Sequence, residues 1–284
     1  MMKVRIIGGG SVGSTLALKL ETVDSINYQI VYNSESTKAK LTELGLTTES
    51  IVSWGEADFD CDIILICVKD SQIEEVAEQL KKYTENCSPL VLHTSGAKNK
   101  EALKSLLESN YRIAAAHPYQ TFAKSENDIL AGTSWGVESE YNDKELIEKF
   151  ISLIDGKTIH LSSKAIENRL LYHTSAVAAS NFLALSVELA KNIADEAGID
   201  WENFLPHIMK TTLINNLNEE NDKPAITGPV VRGDMETVRN HVLALGESVN
   251  GVVYKNMSES LALMALDKGL IPGEKFEEIM EALG

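Results

Sequence analysis

The sequence predicts an open, doubly wound and mainly parallel α/β sheet over residues 1–162, followed by an all-helical domain over residues 163–284. Three observations carry this fold class. Apolar runs and helical segments alternate through the first half, as they do where helices cover both faces of a parallel sheet. The first apolar run leads into a glycine-rich turn and then a helix, and strand signals stop after residue 162. A chain of 284 residues is long enough for two domains with separate cores.

Taken in order, Lys3-Val4-Arg5-Ile6-Ile7 reads as a strand that enters Gly8-Gly9-Gly10-Ser11-Val12-Gly13 and then the helix Ser14 to Leu20. Strand, G-x-G-x-x-G turn and helix in that order form the Rossmann dinucleotide-binding fingerprint. Gly8 allows the tight turn, Gly10 lets the backbone approach a pyrophosphate, and Gly13 lets helix and strand pack. Free N–H groups at the helix start, around Ser11 and Val12, attract the phosphates. The acidic residue that holds the ribose hydroxyls of NAD is expected about 20 residues further on. Asn33 stands there, after the strand Tyr28-Gln29-Ile30-Val31-Tyr32, and Ser34, Ser36, Thr37 and Lys38 follow. A 2′-phosphate would meet hydroxyl donors and one ammonium, so NADP(H) is favoured over NAD(H); Glu35 and the lack of an arginine act against that choice.

Asp62 to Val68 reads as a strand buried on both faces, and Gln72 to Tyr83 as a helix with Ile73, Val76, Ala77 and Leu80 on one side. Leu90-Val91-Leu92 and Arg112 to Ala116 are further strands around a helix Glu101 to Leu107. After the long loop Tyr119 to Thr133, Trp135-Gly136-Val137 and Thr158-Ile159-His160-Leu161 bracket the helix Lys144 to Ile154 and finish the sheet. Ser163 caps a helix expected to continue to about Glu196 and to end at Gly198. Shorter helices follow near Trp201 to Asn218, Met235 to Gly246, Glu247 to Lys268 and Gly273 to Leu283, interrupted by the turn-rich loop from Asn221-Asp222-Lys223-Pro224 to Gly233.

The formal charge of −16 excludes the positive footprint that nucleic acid or an anionic membrane needs in a partner. Cys61, Cys67 and Cys87 have no metal-ligand or C-x-x-C spacing and read as reduced packing residues. With an N-terminus that enters a strand directly, without a signal peptide, they predict a cytoplasmic protein. Leu170 to Val187 carries no formally charged residue and reaches the length at which a membrane span is considered. His173, Thr174, Ser175, Ser180, Asn181 and Ser186 within it point instead to a helix buried in a core or a dimer interface.

Ligands of open α/β sheets sit outside the carboxyl ends of the strands. Val68-Lys69-Asp70, His93-Thr94-Ser95-Gly96 and His117-Pro118-Tyr119-Gln120 end three successive strands. His93, Ser95 and His117 are therefore candidates to line the nicotinamide and the reacting carbon; the alternative for each is a loop side chain bonded to backbone. On an ideal helix His173, Thr174, Ser180 and Asn181 fall within one sector of roughly 120°. Such a polar stripe faces either a solvated cleft or a wet dimer interface. Arg232, in Thr227-Gly228-Pro229-Val230-Val231-Arg232-Gly233-Asp234, is a candidate clamp for a substrate carboxylate, or else pairs with Asp234 to order its loop.

On these segments the chain resembles the superfamily of two-domain dehydrogenases that includes 6-phosphogluconate and 3-hydroxyisobutyrate dehydrogenases, ketopantoate reductase, pyrroline-5-carboxylate reductase and prephenate dehydrogenase. Gly8 to Gly13, His93 to Gly96, His117 to Phe122, Tyr172-His173 with Ser180-Asn181-Phe182, and Thr227-Gly228-Pro229 with Arg232-Gly233-Asp234 look more closely like one family. Its N-terminal domain is Rossmann-like and often labelled an NADP oxidoreductase, and its C-terminal domain is helical and of unknown function. The resemblance implies a cleft between the domains and a homodimer formed through the helical domain. In hydroxyacid dehydrogenases of the superfamily a lysine and an asparagine one turn apart on the first long helix serve catalysis; that lysine is missing here, where His173 and Asn181 stand, and Lys164 and Asn168 have the spacing but lie at the start of the helix.

These readings converge on an NADP(H)-dependent oxidoreductase acting on a small, anionic carbonyl, imine or hydroxy compound. His173 is the expected proton donor, Asn181 orients the substrate, Ser95 and His117 contact nicotinamide or substrate, and Arg232 holds the anionic end. The missing lysine motivates the alternative of a non-catalytic NADP(H)-binding sensor or partner protein. The family label suggests a third reading, electron exchange between NADP and a deazaflavin.

Overall fold

In a computed structural model the chain is described for residues 1–83, 88–218 and 224–284. Cys87 and Asn221-Asp222-Lys223, both read from the sequence, lie outside the described residues. The first half runs β1 (Met2–Ile7), α1 (Ser11–Leu20), β2 (Ile26–Val31), α2 (Glu35–Glu43), β3 (Ile51–Val52), β4 (Ile63–Ile66), α3 (Ile73–Leu80), β5 (Leu90–His93), β6 (Arg112–Pro118), β7 (Ser134–Glu138), α4 (Lys144–Leu153) and β8 (Lys157–His160). The strands form one sheet in the order β3-β2-β1-β4-β5-β6-β7-β8. Every neighbouring pair is parallel except β6 and β7. The strand order reverses between β1 and β4, which opens a crevice at their carboxyl ends.

Alternation along each strand fills two cores, one on each face. Val4, Ile6, Ile63, Leu65, Leu90, Leu92, Ala114 and Ala116 pack on one side under Leu16, Ala17 and Leu20 of α1 and Ile147, Phe150 and Ile151 of α4. Ile7, Ile64, Ile66, Val91 and Ile113 pack on the other under Ile73, Ala77 and Leu80 of α3. Central strands therefore read as continuous apolar runs, because neither face meets water. Arg5 is the exception, buried at 1% exposure. Its guanidinium reaches the Asp58 carboxylate at 3.3 Å, so the charge is paired.

The helix expected over Glu101 to Leu107 is a 3-10 helix, Lys100–Ser109, ended by Asn110 in the left-handed region at φ 61, and two further elements are not legible in the sequence. Leu103 and Leu106, three apart, meet the sheet from the 3-10 helix. The two-residue strand β3 is too short for any periodicity to reveal. The helix α2 was hidden in a polar stretch with one buried residue, Leu41.

The helical half continues as α5 (Ser163–Glu167), α6 (Arg169–Val177), a π-helical turn Ala178–Phe182, α7 (Leu183–Glu196), α8 (Trp201–Leu217), α9 (Pro229–Arg232), α10 (Met235–Leu245), α11 (Val249–Asp267) and α12 (Gly273–Leu283). The single long helix expected from Ser163 is thus broken at Asn168, with φ −101 and ψ 34, and widened at Ala178–Phe182. The chain divides into two compact units, Met1–Ser180 and Asn181–Gly284. Strands do end before residue 162, but α5 and α6 belong with the sheet unit.

The second unit has its own core, built from Val230, Val238, Ala262, Ala265, Ile271, Ile279, Ala282 and Leu283. It leaves α7 and α8 almost uncovered: α7 buries only Ala194 and α8 buries no residue. The stretch Arg169–Glu196 is long and apolar enough to cross a membrane, and its most apolar window has no buried residue. The expectation of a helix buried within its own chain is therefore not met.

Candidate functional site

The glycine turn follows from the sheet register. Ile7 pairs with Val31 on one side and Ile66 on the other, so Gly8 must turn between two flanking strands. It does so at φ 109, and a Cβ there would lie 2.5 Å from the Cys67 carbonyl oxygen. At Gly13 a Cβ would overlap the Gly8 carbonyl oxygen. Gly10 differs from both. Its φ of −69 and ψ of −176 suit any residue, and the nearest atom to a Cβ would be the Cys67 carbonyl oxygen at 3.9 Å. The fold requires Gly8 and Gly13, whereas Gly10 keeps clear the space before α1. No side chain caps α1 and its first turn holds no acid, so the leading N–H groups around Ser11, Val12 and Gly13 are available to an anion.

A groove of about 420 Å³ lies beside this turn, lined by Gly8, Gly9, Gly10, Asn33, Ser36, Thr37, Lys40, Cys67, Val68, Lys69 and Gln72. Two lysines and no carboxylate face it among the described residues, which reverses the sign of this acidic chain locally. A smaller cavity of about 100 Å³ shares Gly8, Asn33, Val68 and Gln72 and adds Trp54, Val76 and one carboxylate, Glu75, among others. Asn33, Ser36, Val68 and Lys69 thus lie where the sequence put them. Ser34 does not: its hydroxyl caps α2, accepting from the Thr37 N–H at 3.2 Å. Lys38 is not among the residues lining the groove, and its ammonium sits 5.4 Å from the Tyr32 ring centroid. Lys40 is the lysine from this segment that lines the groove. It lies one helical turn after Ser36, a spacing that only recognition of α2 reveals.

A cavity of about 1100 Å³ lies elsewhere, along α3, the 3-10 helix and the α5–α6 break. Glu74, Glu75, Glu78, Glu101 and Glu167 face it together with Lys98, Lys104 and Arg169, and no glycine-rich turn borders it.

His93 ends β5 fully buried. Its Nε2 donates to the Asn99 carbonyl at 2.8 Å and its Nδ1 accepts from the Ser95 N–H at 3.2 Å. Burial lowers it to about 4, the Asn99 carbonyl opposing, so it is neutral. With both nitrogens committed, His93 shapes its loop and offers no polar atom to a nicotinamide. Ser95 accepts from the Ala97 and Lys98 N–H groups at 3.2 and 3.0 Å, which uses its oxygen lone pairs and leaves its O–H to donate. The alternative of loop side chains bonded to backbone is the one realised for both.

An ion pair the sequence did not flag holds this loop to α6. Arg169 and Glu138 of β7, 4% and 7% exposed in their side chains, pair at 3.0 Å. Arg169 also donates to the Ser95 carbonyl at 3.1 Å, and the Lys100 N–H donates to Glu138 at 3.2 Å.

His117, ending β6, meets α6 beside this loop. Its Nδ1 lies 2.9 Å from the Tyr172 hydroxyl, and its ring stands edge-on to Tyr172 and to His173, with centroids 5.6 and 5.7 Å away. Burial, followed by the neighbouring His173, lowers His117 to about 4. Burial also pushes the Tyr172 phenol up to about 12. Tyr119 stacks at a tilt on Tyr172 and bonds Ser175 at 2.5 Å. The Nδ1 of His173 is buried with no hydrogen-bond partner. Gly96 makes the cluster possible, because a Cβ there would overlap His173 Nδ1 and lie 2.8 Å from His117 Nε2. Gly136 does the same for the Tyr172 hydroxyl, which a Cβ would overlap.

The rest of the expected stripe dissolves. Thr174 donates to the Leu170 carbonyl of its own helix at 2.8 Å, and Ser180 and Asn181 fall in the π-helical turn, which breaks the constant register of the count. Lys164 and Asn168 are tied to each other by a bond from the Asn168 amide to the Lys164 carbonyl at 2.8 Å. In the second unit Arg232 is exposed at the end of α9. The alternative pairing of Arg232 with Asp234 is not formed. Asp234 caps α10, accepting from the Thr237 N–H and hydroxyl at 3.1 and 2.7 Å.

Comparison with known proteins finds two family matches that meet within the sheet, at β7. Residues 4–137 match the family described as ketopantoate reductase PanE/ApbA, and residues 133–261 match a domain of unknown function, DUF2520. Protein BF3122 of Bacteroides fragilis, provisionally described as an NADP oxidoreductase, is similar with a TM-score of 0.70 and 23% identity, over 91% of this chain and 97% of that one. An imine reductase of Myxococcus stipitatus, solved in complex with NADP+, gives 0.63 at 13% identity over 99% and 100%. The prephenate dehydrogenase of Aquifex aeolicus gives 0.52 at 16% identity over 95% and 100%. At these identities the likeness concerns the fold. No curated protein matches the chain.

Proposed function

On an ApbA/PanE Rossmann-like domain followed by a DUF2520 helical domain, we propose an NADP(H)-dependent oxidoreductase acting on a small carbonyl, imine or hydroxy compound. The observation that carries this reading is Gly10. It is the one fingerprint glycine whose absent side chain serves nothing within the fold, and it borders the lysine-lined groove. The residues fit the cofactor. The N–H groups of Ser11, Val12 and Gly13 would hold the pyrophosphate, Trp54, Val68 and Val76 the adenine, and Ser36, Thr37 and Lys40 a 2′-phosphate, which favours NADP(H) over NAD(H). A bound NADPH supplies a hydride at its nicotinamide ring. His117 and His173, outside the carboxyl ends of the strands, are the protein's groups at that end of the crevice, and His173 with its orphaned Nδ1 is the proton donor. Asn181 and Arg232, as substrate-orienting and anion-holding groups, remain part of the proposal for the second unit.

The chain is further proposed to act as a homodimer in the cytoplasm. Leu183 and Leu185 of α7 and Phe204, Ile208, Leu213, Ile214 and Leu217 of α8 are exposed, more apolar surface than a lone helix pair keeps in water. Continuous NADPH oxidation in the presence of carbonyl and imine panels tests the activity. His173→Ala is expected to lower turnover about 10²- to 10⁴-fold; turnover within threefold of wild type removes the assigned role.

A further inference from the structure

We propose that Gly9, the one glycine of the turn that the G-x-G-x-x-G pattern leaves free, is a positioning residue for cofactor choice. It seats α2 against the glycine turn, and so sets how far the groups for a 2′-phosphate stand from those for the pyrophosphate. The proposal rests on the NADP(H) reading above. The three atoms nearest to a Cβ at Gly9 all belong to α2: Thr37 Cγ2 at 2.5 Å and the two methyl carbons of Leu41 at 3.2 and 3.4 Å. Its neighbours in the turn are constrained differently. A Cβ at Gly8 or at Gly13 would strike a backbone carbonyl, which ties both to the turn itself. Gly9 stands outside the left-handed region, so its backbone accepts alanine and only the contact with α2 opposes one.

The geometry of α2 carries that contact to the groove. Thr37 and Leu41, four apart, share the helix face that rests on Gly9. Leu41 is fully buried and is the sole buried residue of α2. Ser36 and Lys40, also four apart, form the adjoining row and line the groove with Gly9, Gly10 and Thr37. Thr37 is held from two sides. Its methyl lies over Gly9, while its Oγ1 stands 2.9 Å from the Ser34 hydroxyl and its N–H donates to that oxygen at 3.2 Å. The Ser34 hydroxyl also bonds Ser36 Oγ at 3.0 Å. The first turn of α2 therefore moves with the contact between Gly9 and Thr37.

Carbon atoms in contact rest about 3.5–4.0 Å apart. Against the 2.5 Å separation at Gly9, a methyl there displaces Thr37 by about 1 Å or more. The N–H groups ahead of α1 stay in place, because Gly8 and Gly13 fix the turn. A dinucleotide held on those N–H groups reaches α2 through a ribose of fixed dimensions, so its 2′-phosphate cannot follow the helix outward. Hydrogen bonds tolerate little of such a shift. NADH has no 2′-phosphate and loses nothing there.

Parallel calorimetric titrations with NADPH and NADH test the proposal. Gly9→Ala is expected to weaken NADPH at least tenfold and NADH less than threefold. In a Thr37→Ser background the opposing methyl is gone and the hydroxyl kept, and the same glycine change is expected to cost NADPH less than threefold. Equal losses for both nucleotides would put the disturbance in the turn and overturn the proposal. An NADPH loss undiminished in the serine background, or no loss at all, overturns it too. Should Gly9→Ala not fold, Gly9→Ala/Thr37→Ser carries the test: a folded protein with the nucleotide preference of Thr37→Ser alone is expected, and an unfolded one overturns the seat. Wild type answers separately for the reading beneath. Binding of neither nucleotide overturns the cofactor site, and equal binding of both overturns the 2′-phosphate groups on which Gly9 would act.

Discussion

Gly10→Ala separates the ligand role of the glycine turn from its structural role. Alanine accepts the φ of −69 and ψ of −176 found there, and its methyl would meet nothing closer than 3.9 Å. Removing a glycine from the unfolded ensemble gains about 0.4–1 kcal/mol, and alanine at a helix N-cap loses about as much. Stability should therefore stay within about 1 kcal/mol of wild type. The methyl would instead fill space in front of the α1 N–H groups and push a pyrophosphate outward. Loss of one or two charge-assisted hydrogen bonds, at about 1.5–3 kcal/mol each, weakens NADPH binding on the order of 10- to 10⁴-fold. Gly13→Ala should show the opposite balance, because its methyl would overlap the Gly8 carbonyl oxygen and helix and strand would have to separate. Urea denaturation and calorimetric titration of both variants read the two effects. NADPH affinity within threefold of wild type in a folded Gly10→Ala protein would refute the nucleotide site, and strong destabilisation by the same change would refute the turn geometry.

Lys40→Ala should weaken NADPH about 10- to 100-fold through one lost charge-assisted bond and leave NADH nearly unchanged, while Lys38→Ala should change neither; equal losses at both lysines in parallel titrations contradict the placement. His93 should make stability fall with acid. The unfolded chain takes a proton near 6.5, the folded site only near 4, so the contribution is complete above pH 6.5 and is lost as pH falls toward 4, about 2 kcal/mol by pH 5. Urea midpoints at pH 7 and pH 5 should differ less in His93→Asn, and an equal difference counts against the burial argument. Arg169→Met should cost about 3–5 kcal/mol by leaving Glu138 buried and unpaired, with Arg169→Met/Glu138→Gln recovering most of it; a double variant no better than the single assigns the loss to packing.

What could be read from the sequence were features with short-range signals. Gly8, Gly10 and Gly13 sit within six residues of one another between an apolar run and a helix, and every strand of the sheet except β3 shows its run directly. Features that depend on distant partners could not be read. His93 and Ser95 stand at a strand end, as candidate ligands should, but nothing local tells that Asn99, Ala97 and Lys98 fold back to use their polar atoms. Arg169 and Glu138 are 31 residues apart and His117 and Tyr172 are 55 apart, and no motif links either pair. The polar stripe failed for a geometric reason, because the count assumed an unbroken α-helix through Ala178–Phe182. Lys40 was passed over because α2, with its single buried leucine, has no apolar stripe to show where its turns fall.

The most direct measurement is calorimetric titration of the purified protein with NADPH and NADH in parallel. Tight NADPH binding beside weak NADH binding is the expected result, since Ser36, Thr37 and Lys40 line the groove where no carboxylate stands among the described residues. Binding of neither nucleotide would contradict the account, because the space kept open by Gly10 would then have no occupant.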